Sequence, residues 1–98
     1  MIRGTTPLNI FTVDEDLTNA DVIYITYKQN NNVAIEKSLP DIQVTSDTLT
    51  VRLTQEDTLN LEPREVSIQI RARFADGTAI ASNVIQTTAT KVLKDGVI

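Results

Sequence analysis

Glu65-Val66-Ser67-Ile68-Gln69-Ile70-Arg71-Ala72-Arg73-Phe74 is followed by Ala75-Asp76-Gly77-Thr78 and then by Ala79-Ile80-Ala81-Ser82-Asn83-Val84-Ile85-Gln86-Thr87-Thr88. From Val66 to Phe74 every second residue is apolar, and Ser67, Gln69, Arg71 and Arg73 fill the positions between. A period of two residues marks a β-strand with one buried and one wetted face. Asp76-Gly77 is a turn signal, because a tight reversal needs backbone at positive φ. The stretch therefore reads as a hairpin, and the remaining chain as further strands laid around it.

Upstream of it, Thr48 to Thr54 alternates without a fault, with Leu49, Val51 and Leu53 on one face and the threonines and Arg52 on the other. Thr54-Gln55-Glu56-Asp57 is an N-cap followed by acidic residues, which suit the positive end of a helix. One or two helical turns carrying Leu59 and Leu61 should cross between sheets here and end at Pro63. Asp21 to Gln29 has Val22, Ile23, Tyr24, Ile25 and Tyr27 apolar on both faces, which predicts a central strand covered on both sides. Asn30-Asn31-Asn32 reverses the chain, since Asn tolerates the left-handed region. Val33 to Lys37 then pairs back, Pro40 breaks the run, and Ile42 and Val44 make a short strand. Leu8 to Val13 opens the fold, with Leu8 and Ile10 on one face and Phe11 and Val13 on the other. Pro7, which lacks a donor, protects the start of that strand.

About seven short strands with one helical turn and no long helix predict an all-β chain, a β-sandwich. An immunoglobulin-like Greek key is the first choice, and a small closed barrel is the alternative. The 98 residues suffice for one domain, 1–98, in which residues 90–98 form an apolar tail. Apolar content of 41% is ordinary for a packed fold, and Val and Ile outnumber Leu, as strands prefer.

The chemistry available is narrow. Histidine and cysteine are both absent, which removes the usual general base, the thiolate nucleophile and the common zinc ligands. No glycine-rich phosphate loop is visible among the three glycines. Glu56 and Asp57, or Asp14, Glu15, Asp16 and Asp21, are the carboxylates left for acid–base work, yet such residues ordinarily cap turns. Asp14, Asp16, Asn19 and Asp21 carry enough oxygens for calcium, but their spacing is not that of an EF-hand. The expectation is therefore no catalytic residue, no metal and no cofactor.

A net charge of −4 disfavours nucleic acid or an anionic membrane as partner. The first residues contain no signal-peptide core, and no run is apolar enough for a membrane helix. These features predict synthesis and assembly in a cytoplasm. Two candidate contact regions remain. Arg71 and Arg73 end a polar stripe suited to carboxylate-bearing partners, or to acidic neighbours on the same sheet. Val92, Leu93, Val97 and Ile98 must pack either on this domain or on another copy, because chain ends are normally polar. Tyr24 and Tyr27 lie on opposite faces, so they form no stacking platform for single-stranded nucleic acid.

Met1-Ile2-Arg3-Gly4-Thr5-Thr6-Pro7, Val51-Arg52-Leu53-Thr54-Gln55-Glu56-Asp57-Thr58-Leu59 and Val92-Leu93-Lys94-Asp95-Gly96-Val97-Ile98 together resemble a family of short phage- and prophage-encoded proteins of Gram-positive bacteria. More loosely, the middle of the chain is similar to the immunoglobulin-like N-terminal domain of phage baseplate upper proteins. The resemblance implies a non-enzymatic virion or tail-associated component that contacts other phage structural proteins, itself included. It would pass from the host cytoplasm into the virion. A carbohydrate- or small-ligand-recognition module is the alternative, although its aromatic residues are few and mostly expected inside.

Overall fold

The computed structural model describes residues 1–98 and is a β-sandwich of two antiparallel sheets. Eight strands form it: β1 (Leu8–Thr12), β2 (Val22–Gln29), β3 (Asn32–Ser38), β4 (Ile42–Val44), β5 (Thr48–Arg52), β6 (Glu65–Arg73), β7 (Ala79–Ala81) and β8 (Ile85–Thr88). One sheet has the order β1-β5-β4. The other has the order β3-β2-β6-β7, with β8 also paired to β6. The only α-helix, α1 (Gln55–Leu59), carries the chain from the first sheet to the second. It is neither long nor apolar enough to cross a membrane.

β6 behaves as its alternation demands. Val66, Ile68, Ile70 and Ala72 are buried, while Arg71 and Arg73 stand in water. The reversal after it is a type I turn closed by a glycine bulge: Gly77 N–H bonds Phe74 C=O, and Phe74 N–H bonds Thr78 C=O. Gly77 alone takes positive φ (+90°) there, whereas Asp76 contributes through Oδ1, which accepts from Thr78 N–H at 2.9 Å. At the β2–β3 hairpin both Asn30 and Asn31 take positive φ (50° and 65°), the geometry of a two-residue type I′ turn.

Two expectations change. The return strand is not one element but two, which raises the strand count to eight. Ala81 pairs with Arg71 and Ile85 with Ile68, so Ser82, Asn83 and Val84 oppose only Gln69 and Ile70. This is a bulge, and Ser82 anchors it. Its N–H bonds Ile70 C=O at 2.8 Å, and its Oγ accepts from Ile70 N–H at 3.0 Å. β2 is central but covered on one face only, with Ile23, Ile25, Tyr27 and Gln29 inside and Tyr24 and Lys28 exposed.

The core is the row of inward side chains from both sheets: Ile23, Ile25 and Tyr27 of β2 and Val66 and Ile68 of β6 face Leu49, Val51 and Leu53. The polar side chains that enter it, Tyr27, Gln29 and Thr58, all have partners, Thr58 Oγ1 donating to Thr5 C=O at 2.8 Å. Tyr27 Oη accepts from Asn9 Nδ2 at 2.6 Å, and Gln29 exchanges two bonds with the Glu62 backbone, at 2.8 and 2.9 Å. No buried side-chain polar atom is left without a partner. Burial pushes the Tyr27 phenol up to about 12, opposed by the Asn9 bond and reinforced by the nearby Asp57 charge.

Candidate protein-interaction surfaces

The helical crossover is built as its sequence predicts. Thr54 caps α1 in a reciprocal capping box: Thr54 Oγ1 accepts from Asp57 N–H, and Asp57 Oδ2 accepts from Thr54 N–H. Asp57 Oδ2 also lies 2.7 Å from Lys37 Nζ, which points inward from edge strand β3. Burial pushes the Asp57 carboxyl up, but the bonds from Lys37 and Thr54 outweigh it and hold the group below its usual range. This carboxylate is committed to holding the fold. Earlier in the chain, the crossing from β3 to β4 runs through a 3₁₀ turn, Leu39–Asp41, which closes this flank of the sandwich.

The two chain ends meet beside α1. Met1–Arg3 runs parallel to Thr88–Thr90, joined by Thr90 N–H to Met1 C=O (2.9 Å) and Arg3 N–H to Thr90 C=O (3.1 Å). Arg3 reaches across to the carbonyls of Leu61 (2.6 Å) and Leu59 (3.0 Å), which the end of α1 leaves without helical partners. The tail beyond Thr90 forms no strand. Val92 is half-buried, lying against Gly4, whereas Leu93, Val97 and Ile98 project into water. Polar bonds still pin this tail: Ile98 N–H to Gln55 Oε1 at 2.8 Å, and Gln55 Nε2 to Ile98 C=O at 3.2 Å. Of the four apolar tail residues, then, one packs on this domain and three do not. Ile2, on the paired N-terminal segment, is exposed as well.

Arg71 and Arg73 lie on the outer face of the larger sheet, opposite Tyr24 and Val22 of β2. Neither takes part in an ion pair, since the only two in the chain are Arg3–Asp95 and Lys37–Asp57. The acidic neighbours that would neutralise this stripe are therefore not engaged with it. Tyr24, expected inside, is exposed beside Arg71, because the face of β2 that carries it has no layer above. A shallow depression of about 180 Å³ lies among Val22, Tyr24, Arg71, Arg73 and Ala79.

The acidic loop between β1 and β2 does not converge on a centre. Asp16 Oδ1 accepts from the N–H (2.9 Å) and hydroxyl (2.7 Å) of Thr18, bonds that hold its carboxyl below the usual range. No group of three acidic side chains is placed to hold a metal ion. Leu17 of the same loop turns inward and is buried.

The opposite flank is open. Between β1 and the split return strand lies a cavity of about 300 Å³, lined by Val13, Leu17, Ile70, Ala72, Ile80 and Ile85. β1 is an edge strand, paired only with β5, and its outer residues Leu8 and Ile10 are 48% and 62% exposed. Sequence reasoning placed Leu8 and Ile10 on a common face but had no means of telling which apolar face was the buried one. Protein-family models, curated proteins and solved structures were all compared with this chain, and none of them matches it.

Proposed function

We propose that the chain is a non-enzymatic structural or assembly component of a phage or prophage particle, associated with its tail or baseplate, and that it works through protein–protein contacts. The observation that carries this reading is the tail. Leu93, Val97 and Ile98 hold their side chains in water while backbone and side-chain bonds keep the segment in place. Ordered apolar side chains in water favour a contact that covers them. The strand order supports the finer reading of an immunoglobulin-like sandwich. β1, β5 and β4 take the places of strands B, E and D, and β2, β6 and β7–β8 those of C, F and G. Synthesis in a host cytoplasm and incorporation into the virion belong to the same proposal.

The test is co-sedimentation with particles released from an induced lysogen that encodes the chain. The chain bands with particles or with tail intermediates, and Leu93→Asp with Val97→Asp lowers its recovery there by about tenfold or more. Absence of the unaltered chain from both fractions overturns the proposal.

A second reading, recognition of a carbohydrate or small ligand, draws on the exposed Tyr24 ring beside the unpaired Arg71. Saturable binding on a glycan array that Tyr24→Ala abolishes would place this reading first.

A further inference from the structure

We infer that the free edge of β1 is a docking site for a second copy of this chain, joined antiparallel β1 to β1 about a two-fold axis at Ile10. The inference rests on the reading that the chain acts through protein–protein contacts.

The parity of the β1–β5 ladder decides which groups are available. Leu53 N–H bonds Pro7 C=O at 3.0 Å, and Val13 N–H bonds Asp47 C=O at 2.8 Å. In an antiparallel pair the bonded residues alternate, so Asn9 and Phe11 turn their backbone groups toward β5. Leu8, Ile10 and Thr12 therefore turn theirs outward, and no other strand or side chain meets them. In the immunoglobulin-like order, the place beside this strand belongs to strand A. No strand within residues 1–98 holds it.

The other sheet edges are blunted, each in a different way. β3 carries an inward lysine, Lys37, and a bulge beyond Tyr27 of its partner. β4 is only three residues long. The β7–β8 edge is broken at Ser82, and its far end is joined by Met1–Arg3. β1 has no charge, no proline and no bulge within it, and it shows Leu8 and Ile10 to water. Such an edge is a template for another strand.

The chain itself supplies the matching strand. With Ile10 opposite Ile10 of the second copy, Leu8 stands opposite Thr12 and Thr12 opposite Leu8. All three positions are of the bonding parity, so every outward N–H and C=O of both strands finds a partner. Centring the axis on Leu8 or Thr12 would leave some of those groups unmatched. Charge agrees with this register. Arg52 Nη1 donates to Thr6 C=O at 2.9 Å, which holds the guanidinium beside Thr6. The register that pairs Leu8 with Thr12 brings Asp14 of the second copy level with Thr6, within reach of that guanidinium. Because the axis is two-fold, this complementarity occurs twice. Ile85, exposed on the second sheet, lines the same opening and adds apolar surface beside β1.

Sedimentation velocity and light scattering over a concentration series test the inference. The unaltered chain reaches twice the 10.8 kDa of one copy as concentration rises. Ile10→Lys sets like charges opposite each other at the axis and raises the dimer dissociation constant by about a hundredfold or more. Its circular dichroism stays unchanged, because residue 10 is exposed and its backbone bonds do not enter the β5 ladder. Arg52→Asp and Asp14→Arg each weaken the dimer, and together they restore it, a result that only a self-complementary contact produces. A chain that stays monomeric throughout overturns the inference. So does a dimer that survives Ile10→Lys, or one that instead dissolves on Leu93→Asp with Val97→Asp. Particle co-sedimentation of Ile10→Lys separates the two readings. If the variant still bands with particles while the unaltered chain is monomeric, the assembly role stands and the β1 contact falls.

Discussion

The two flanks of this sandwich solve the same problem in opposite ways. On the flank of β3 and β4 the chain itself crosses between the sheets through Leu39–Asp41, and Lys37 reaches inward to Asp57. On the flank of β1 and the split return strand the chain crosses only beyond the two ends of β1, through residues 4–7 and 13–21, and a cavity of about 300 Å³ lies between the edges. Both flanks enclose one continuous core, so the difference is not in burial. It lies in how the edges are guarded: β3 by an inward lysine and a bulge in its pairing, β4 by its shortness, and β1 by neither. A closed flank favours a stable monomer, and an open one keeps strand-pairing capacity for another chain.

The common core sets the scale against which each flank is measured. Leu49 is completely buried between the sheets, and Leu49→Ala should cost about 3 kcal/mol in urea unfolding. On the closed flank, Lys37→Ala leaves the half-buried Asp57 carboxylate with only the Thr54 N–H and should cost about 2 kcal/mol. Its pH signature identifies the cause. The folded carboxyl of Asp57 is held below its ordinary value of 3.8, so it binds its proton less readily than in the unfolded chain. Its contribution to stability is full above that value and is lost as pH falls through the lower folded value. Lys37→Ala should flatten this acid-side loss, and equal slopes in the two proteins would mean that the ion pair does not hold the flank.

On the open flank, Ser82→Ala removes the acceptor for Ile70 N–H and should cost about 1 kcal/mol. Hydrogen exchange should show faster opening at Ile70 and little change in β3. A loss as large as that of Lys37→Ala would erase the contrast between the flanks. Smallest of all, Arg71→Ala and Arg73→Ala should each leave thermal unfolding within about 0.5 kcal/mol of the unaltered chain, because neither guanidinium has a partner.

What could be read from the residues follows from how local each signal is. The β6 alternation, the Thr54 cap and the Asn30-Asn31 reversal depend on neighbours a few positions away, and each appears where its residues predict. The inward turn of Asn9 to Tyr27 Oη is not local, since it joins strands from different sheets. The bulge at Ser82 was hidden because a serine within an alternating run looks like any wetted position. The assignment of β2 to a doubly covered position failed at Val22 and Tyr24, because an apolar face without a layer above it has the same composition as a covered one. The tail divided for a related reason. Val92 found Gly4, where no side chain blocks the approach, while Leu93, Val97 and Ile98 found only Gln55 and water.

The clasp between Met1–Arg3 and Thr88–Thr90 bears on the order of events during folding. Its bonds join residues at opposite ends of the chain, so closing it early would tie off nearly the whole chain at a large entropic cost. Each hairpin can zip while the chain is still short, but Arg3 finds its carbonyls only after α1 has been laid down. The segment that opens the fold is thus the last to be fastened, and without Thr88–Thr90 it would hang as a loose arm.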